Sequence, residues 1–316
     1  MFLHEDKRSF SVLIRNLSQS MRVDPSFIEK DYYVFMLLKL IYSKNDEIMF
    51  KGGTSLSKAW GILNRFSEDI DMNLRPEIPS TDSHRMKLSN AVYNSIIELG
   101  FDYDRSKMGS RREYNTFEFD YNPIFKSMFL NNLMKVETMA NKKGKILNAT
   151  YTMLRISNYI YDAFCNNPQY QSSLEQYSLC PFMMPVQNMD VTFVEKVMSL
   201  TNRYLKGESF RLSRHLYDIY QMWNRGNLRQ FNLNNTMYET KIHLMERTND
   251  ICLRQNRPAK VILLEALRTD FYRQDFNEVT QQMKMNPNDG ITYEACRGTL
   301  EYIINMMNNF TKERIY

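Results

Sequence analysis

Cysteine is scarce in this sequence. The four present, Cys165, Cys180, Cys252 and Cys296, stand far apart with no CxxC pair. No zinc and no disulfide framework are expected from such spacing, and a reducing cytosol fits it best. Histidine is equally sparse, because His4, His84, His215 and His243 are scattered and make no HExxH-type pattern. Long apolar runs are missing too. The longest, around Val34 to Tyr42, is interrupted by Lys39 and is too short to cross a bilayer, so no membrane partner is expected. Glu5, Asp6, Lys7 and Arg8 precede any apolar run, which argues against a signal peptide and for a cytoplasmic location. Internal repeats and low-complexity segments are absent.

What is present describes a soluble globular chain. Hydrophobic residues make up 43% of the 316 positions and charged residues 24%, enough for a substantial core in two domains or one large one. The 20 tyrosines, 19 phenylalanines and 22 methionines read as core and surface residues ahead of base-stacking platforms. A net charge of +5 is compatible with RNA or nucleotide binding but too weak to demonstrate it.

The pattern predicts helices over 8–22 and 26–43, the second announced by Asp24 followed by Pro25. Glu29, Lys30 and Asp31 suit the dipole at that helix start; support of an active-site loop is the alternative for Lys30 and Asp31. A strand at Ile48–Phe50 runs into Gly52-Gly53, and Thr54 is placed to cap a helix through Leu63. Asp69 to Leu74 reads as a second strand and 83–99 as an amphipathic helix. Tyr114–Tyr121 and Leu133–Ala140 alternate as strands, followed by β-prone sequence at 146–156 and 182–186. From Asp190 on the chain reads as helical. Thr192-x-x-Glu195 resembles a capping box, and helices are expected at 208–223, 234–255, 258–274, 276–285 and 291–313. The fold class expected is α+β: a domain over 1–198 with a mixed sheet flanked by helices, then a helical bundle over 199–316.

Chemistry concentrates between Phe50 and Leu74. Asp69 and Asp71 share one face of a strand, with Cα atoms about 6.6 Å apart. Two carboxylates so placed can share divalent cations, and Mg²⁺ prefers a few carboxylates plus substrate phosphates. Glu137 is the candidate third carboxylate, facing the same way as Lys135 on a strand able to neighbour Asp69–Leu74. Three clustered anions repel by about 4 kcal/mol per close pair at an effective dielectric of 20, so a cation or a proton is needed to offset them, and metal dependence is expected. Gly52 and Gly53 let backbone approach a triphosphate, and the Thr54 or Ser55 hydroxyl and Ser67 are placed to reach its oxygens. Arg65 could neutralise charge nearby. Either motif alone has a plainer reading, a tight turn or a solvated strand face. Their joint order, strand–GGT–helix–loop–strand with Asp-x-Asp, is that of the polymerase-β-like nucleotidyltransferase fold.

FKGGTSLSKAW followed by RFSEDIDMNL resembles, more narrowly, the abortive-infection AbiEii-type nucleotidyltransferase toxin family. Ile28-Glu29-Lys30-Asp31-Tyr32 is similar to that family's lead-in helix, Val194-Glu195-Lys196-Val197 to its lysine motif, and Arg214-His215-Leu216-Tyr217-Asp218-Ile219 to its final motif. The likeness spans about residues 26 to 222 and is most specific in its first block. It implies a toxin of a bacterial toxin–antitoxin pair, with an antitoxin encoded nearby, using Mg²⁺ and a nucleoside triphosphate, in some members to add nucleotides to tRNA. It also implies metal ligation by Asp69 and Asp71, a triphosphate contact by Lys196, and a catalytic or orienting carboxylate at Asp218. His215 departs from the pattern, standing where the family usually has Asp.

Read from the residues alone, Lys196 fits a phosphate contact or a solvated surface lysine. Asp218, among Leu216, Tyr217, Ile219 and Tyr220, calls for a partner, for which Arg214 one turn away is a candidate. His215 fits a polar contact ahead of a base. Three basic clusters suit an RNA backbone or simple solubility: Arg105, Lys107, Arg111 and Arg112; Lys142, Lys143 and Lys145; and Arg203, Lys206, Arg211, Arg214, Arg225 and Arg229. The last is the preferred RNA contact, with an active-site cleft expected where the two parts of the chain join. The expected function is Mg²⁺-dependent nucleotide transfer with tRNA as acceptor. The alternatives are a small-molecule or protein hydroxyl as acceptor, or a non-catalytic nucleotide- or RNA-binding module.

Overall fold

A computed structural model describes residues 1–67, 69–111, 114–127, 132–140, 151–226, 228, 233, 257–286 and 288–308. The helix expected at 234–255, the basic cluster at 142–145, Arg112, Arg229 and Cys252 lie outside the described residues. The chain divides into two compact units, one taking in Met1–Gly61, Phe66–Lys145 and Tyr151–Val186, the other Ile62–Arg65 and Gln187–Tyr316.

The first unit opens with helices α1 (Lys7–Met21) and α2 (Pro25–Lys44). The Asp24 carboxylate accepts from the Ser26 amide at 2.9 Å, and Pro25 takes the first helical position, so the signals read in the sequence act as expected. Strand β1 (Ile48–Lys51) leads directly into helix α3 (Gly52–Lys58), then β2 (Asp69–Leu74) and helix α4 (Asp82–Glu98). Helix α3 departs from expectation. It begins two residues before Thr54, with Lys51 at the cap, and ends at Lys58. Gly61 then takes φ +63 with open space around it, a left-handed turn that stops any continuation to Leu63.

Strands β3 (Gly109–Arg111), β4 (Tyr114–Asp120), β5 (Leu133–Met139), β6 (Tyr151–Ile156) and β7 (Phe182–Gln187) complete a seven-stranded sheet of order β3-β4-β5-β2-β1-β7-β6. It is mixed: β1 pairs antiparallel with β2 and parallel with β7, while β2 pairs parallel with β5. Helices α5 (Tyr159–Phe164) and α6 (Pro168–Gln176) were not expected from periodicity, being too short to show it. Their starts are nonetheless written locally. Asn158 accepts from the Tyr161 amide at 2.8 Å and Asn167 from the Gln169 amide at 3.1 Å, with Pro168 next.

The core of this unit lies between the sheet and α1, α2 and α4. On β2, Ile70, Met72 and Leu74 are buried, as are Met134 and Val136 on β5. Alternation therefore turns Asp69, Asp71, Lys135 and Glu137 to the other face. Helix α2 is buried almost throughout, including Glu29, Lys30 and Asp31. These three have specific partners, so helix-dipole stabilisation is a minor part of their role. Glu29 accepts from the amides of Ile124 at 2.8 Å and Phe125 at 2.9 Å. The Lys30 ammonium lies 5.9 Å from the centre of the Tyr121 ring. Asp31 receives Lys58 Nζ, at the end of α3, at 2.5 Å and the Tyr159 amide at 3.2 Å.

The second unit contains helices α7 (Met189–Leu205), α8 (Arg214–Arg225), α9 (Ala259–Arg268) and α10 (Tyr293–Met306), with helical turns at Arg273–Asp275, Phe276–Thr280 and Gln281–Met283. The domain boundary expected at 198/199 falls inside α7. The Thr192–Glu195 pair is not a cap. Both side chains receive the Gln187 amide group, each at 3.0 Å, and α7 starts three residues before Thr192. Ahead of α8 the Asp275 carboxylate accepts from the amides of Arg211 at 2.6 Å and Ser213 at 2.9 Å, replacing a local cap.

Burial holds the Glu29 carboxyl above its ordinary pKa even though two amides favour its charged form. Glu29→Ala strands those amides and is expected to cost about 2–3 kcal/mol. Glu29→Gln, which keeps an acceptor oxygen, should cost less. Urea unfolding of the three proteins checks this; equal midpoints for Glu29→Ala and wild type would remove Glu29 as the loop's anchor.

Candidate active site

The register of the sheet gathers one charged face. Asp71 on β2 is flanked by Lys51 on β1 and Glu137 on β5, and Asp69 by Lys135 on β5. On the far side, β4 places Thr116 beside Glu137 and Glu118 beside Lys135. Asp71 and Glu137 are direct cross-strand neighbours, which sets two carboxyl groups side by side on this face. Burial opposes ionisation of Glu137. Hydrogen bonds from Lys135 and Tyr114, with the Lys135 charge, outweigh it and hold Glu137 below the usual carboxylate range. The Tyr114 hydroxyl, partly buried and bonded to Glu137, is pushed up to about 12.

Gly52 has a more specific role here than flexibility. At φ +76, a Cβ added there would stand 2.1 Å from Asp71 Oδ2. The glycine expected to admit a phosphate thus also admits the Asp71 carboxylate against the backbone. Thr54 differs from expectation as well. It is buried, and its hydroxyl donates to the Asp69 carbonyl and to Ser67 Oγ, the latter at 3.0 Å. The Ser55 hydroxyl donates to the Gly52 carbonyl at 2.8 Å. Both hydroxyls are engaged in holding the turn and the start of β2. The amides of the first helical turn, which lack intrahelical acceptors, remain as its donors.

The oxygen donors of this face suit Mg²⁺, and the adjacent carboxylates of Asp71 and Glu137 mark a place where a cation would relieve repulsion. Among the described residues, however, no three His, Cys, Asp or Glu side chains are gathered closely enough to hold a metal. Glu137, expected as third ligand, is ion-paired with Lys135. The fitting donor set is a partial shell, which substrate oxygens would complete.

A second constellation lies within the second unit. Asp218, fully buried on α8, receives Arg65 in a two-pronged contact, Nε to Oδ1 and Nη2 to Oδ2, both 2.6 Å. Lys196 on α7 reaches Asp218 Oδ2 at 2.7 Å. The partners of Asp218 are therefore Arg65 and Lys196, instead of the Arg214 one turn away. Lys196 is buried, which excludes the solvated-lysine reading. Burial disfavours the charged form of Asp218, but Arg65 and Lys196 overcome it and hold its pKa far below the usual value. At Lys196 burial prevails and lowers the pKa, because the one carboxylate is shared with Arg65 and the Arg65 and Arg214 charges act against it. His215 is held neutral by burial and the same cations, with Nδ1 buried and lacking a hydrogen-bond partner among the described residues. Around Asp218 the two cations Arg65 and Lys196 share one carboxylate.

The remaining expected RNA contacts lie along the same stretch. Arg203 pairs with Glu208, Lys206 is exposed at the end of α7, and Arg211 sits in a left-handed turn beside the exposed Phe210. Arg225 instead donates to the Ile62 carbonyl at 3.1 Å. Sequence reasoning turned Lys135 to the same face as Glu137 but missed Tyr114 and Lys51 as members of the charged face. The alternation that turned Lys135 and Glu137 the same way was the available signal. The free cysteines Cys165, Cys180 and Cys296 form no disulfide.

A family model described as nucleotidyl transferase AbiEii toxin, type IV TA system, matches residues 39–298. No curated protein sequence matches. Among solved structures, MenT4, a nucleotidyltransferase toxin from Mycobacterium tuberculosis H37Rv, is similar over 97% of this chain and 92% of its own, with a TM-score of 0.59 at 15% identity. JHP933 from Helicobacter pylori aligns over 88% of this chain and 90% of its own at a TM-score of 0.42 and 11% identity, too distant to carry argument. No helix among the described residues is long and apolar enough to cross a membrane.

Asp218→Asn leaves Arg65 and Lys196 buried against a neutral amide and is expected to cost about 3–5 kcal/mol near pH 7. Because the folded pKa of Asp218 lies below its unfolded value, its contribution is complete above about pH 5 and is lost as pH falls through the carboxylate range. Unfolding free energies of wild type and Asp218→Asn should therefore begin to converge only as pH falls below about 4, and should keep converging well below that as pH approaches the folded value. A gap independent of pH would assign the loss to packing instead of charge.

Proposed function

We propose that this chain, which belongs to the AbiEii nucleotidyltransferase toxin family of type IV toxin–antitoxin systems, transfers a nucleotide from a nucleoside triphosphate to RNA, with the tRNA acceptor end as first candidate. The observation that carries the reading is the Asp69–Asp71 face of β2, with Asp71 seated against Gly52 and beside Glu137. Asp69 and Asp71 would hold Mg²⁺, which supplies neutralisation of charge on the phosphates. The chemistry is attack of an acceptor hydroxyl on the α-phosphorus. A new P–O bond forms, the bond to the β-phosphate oxygen breaks, and pyrophosphate leaves.

The chain's own groups divide the remaining work. The backbone amides at Gly52, Gly53 and Thr54 and the hydroxyl of Ser67 bind phosphate oxygens. Thr54 keeps the start of β2 in place through the Asp69 carbonyl. In the second unit Arg65 and Lys196 share the one carboxylate of Asp218, which suits a phosphate group, and Asp218 orients Lys196. Arg203, Lys206, Arg211 and Arg214 are assigned to the RNA backbone, with affinity that falls as salt rises. The reducing cytosol is the compartment that fits the free cysteines, and an antitoxin is the partner implied by the family.

Incubation with each labelled nucleoside triphosphate and total tRNA tests the reading. Wild type should label tRNA. Asp69→Ala and Asp71→Ala should lose about a hundredfold or more, since several kcal/mol of charge stabilisation are withdrawn. Gly52→Ala should resemble Asp71→Ala. Equal incorporation by Asp69→Ala and wild type would sink the assignment, and label appearing on protein or small molecules instead of tRNA would move the acceptor.

A further inference from the structure

Lys135 has no place in the reaction as described, yet it sits inside its acidic face. It is the cross-strand neighbour of Asp69, its ammonium is bonded to Glu137, and Glu137 is in turn the neighbour of Asp71. Both side chains are only partly exposed, Lys135 at 30% and Glu137 at 24%, so solvent screens their pairing incompletely. Among the described residues, Lys51 stands beside Asp71, Glu118 beside Lys135, and Asp120 two residues further along the same face of β4. Lys135 is thus one ammonium set among three carboxylate neighbours, Asp69, Glu118 and Glu137.

We infer that Lys135 is a tethered counter-ion that takes the place of a second metal: it holds Glu137 to itself and limits the nucleotide-free site to one divalent cation at Asp69 and Asp71. This rests on the proposed metal site at those two residues. It accounts for the geometry, in which Glu137 neighbours Asp71 across the sheet and is ion-paired with Lys135, and no three-carboxylate shell is assembled among the described residues. Glu137 has exchanged a metal for an ammonium carried two residues away on its own strand. Lys135 is accordingly a positioning residue. It sets how many cations the face accepts and where the first one sits.

The test is titration of the full, nucleotide-free chain with Mn²⁺, followed by calorimetry and by the electron paramagnetic resonance of free Mn²⁺. Wild type should bind one ion, and Asp71→Asn should lose it, which locates it. Lys135→Met should bind a second ion or bind the first about tenfold or more tightly, because a full positive charge has left the face. Lys135→Arg, which keeps the charge, should match wild type. Glu137→Gln frees the Lys135 ammonium towards Asp69 and should weaken binding, the opposite sign from its neighbour's substitution. Two ions in wild type, or an unchanged midpoint and stoichiometry in Lys135→Met, overturns the inference while leaving the metal site standing. Absence of binding to both wild type and Lys135→Met fails the metal site itself, and the inference with it.

Discussion

The close approach of Asp71 to the backbone of Gly52 is the constraint on which the acidic face depends. A single added carbon would stand 2.1 Å from the carboxylate oxygen, so the turn after β1 and the strand β2 must be built together. Everything nearby follows from that requirement. The left-handed backbone at Gly52 lets α3 start at once. Thr54, two residues on, is carried inward, where its hydroxyl seizes the Asp69 carbonyl and Ser67. Lys58, at the other end of the helix, is held by buried Asp31. The seven-residue helix is therefore fastened at both ends, which it needs, since so short a helix has little stability of its own.

Buried charge is handled in the same way throughout the chain. Glu29, Asp31 and Asp218 are all carboxylates that burial alone would protonate, and each is given partners of a different kind. Glu29 has two backbone amides, Asp31 an ammonium and an amide, Asp218 a guanidinium and an ammonium. Only at Asp218 do the partners exceed the penalty and drive the pKa down. Such a cluster is weak grounds for claiming stability, because its desolvation cost is large. Its net effect is to fix the heads of Arg65 and Lys196 in one geometry. That is worth more to a site that binds an anion than to a core.

Much of this was legible in the sequence, and the gaps have physical causes. The strands β2, β4 and β5 were visible because alternation is strict where one face is buried, and the face shared by Asp69, Asp71 and Glu137 followed from it. The partner of Asp218 was not legible. Arg65 lies 153 residues away, and only local neighbours such as Arg214 can be weighed from spacing. The role of Thr54 was misread for a related reason. A threonine after two glycines has the composition of a cap, and the backbone turn at Gly52 that moves the cap to Lys51 is invisible in composition. The roles of Glu29 and Asp31 were hidden likewise, since their partners arrive from loops and helices distant in the chain.

The two constellations are unbalanced in opposite senses. The face of β2 and β5 gathers the carboxylates Asp69, Asp71 and Glu137 with the ammonium of Lys135, and around Asp218 the cations Arg65 and Lys196 share one carboxylate, with His215 kept neutral beside them. Neither imbalance helps the fold. Like charges that repel at a few ångströms destabilise whichever unit carries them, and apolar residues of similar size would relieve it. A cation seated on the first, or an anion on the second, would relieve that cost within its own unit. Gly52, where a Cβ would stand against the Asp71 carboxylate, thus keeps an arrangement that stability alone would not select.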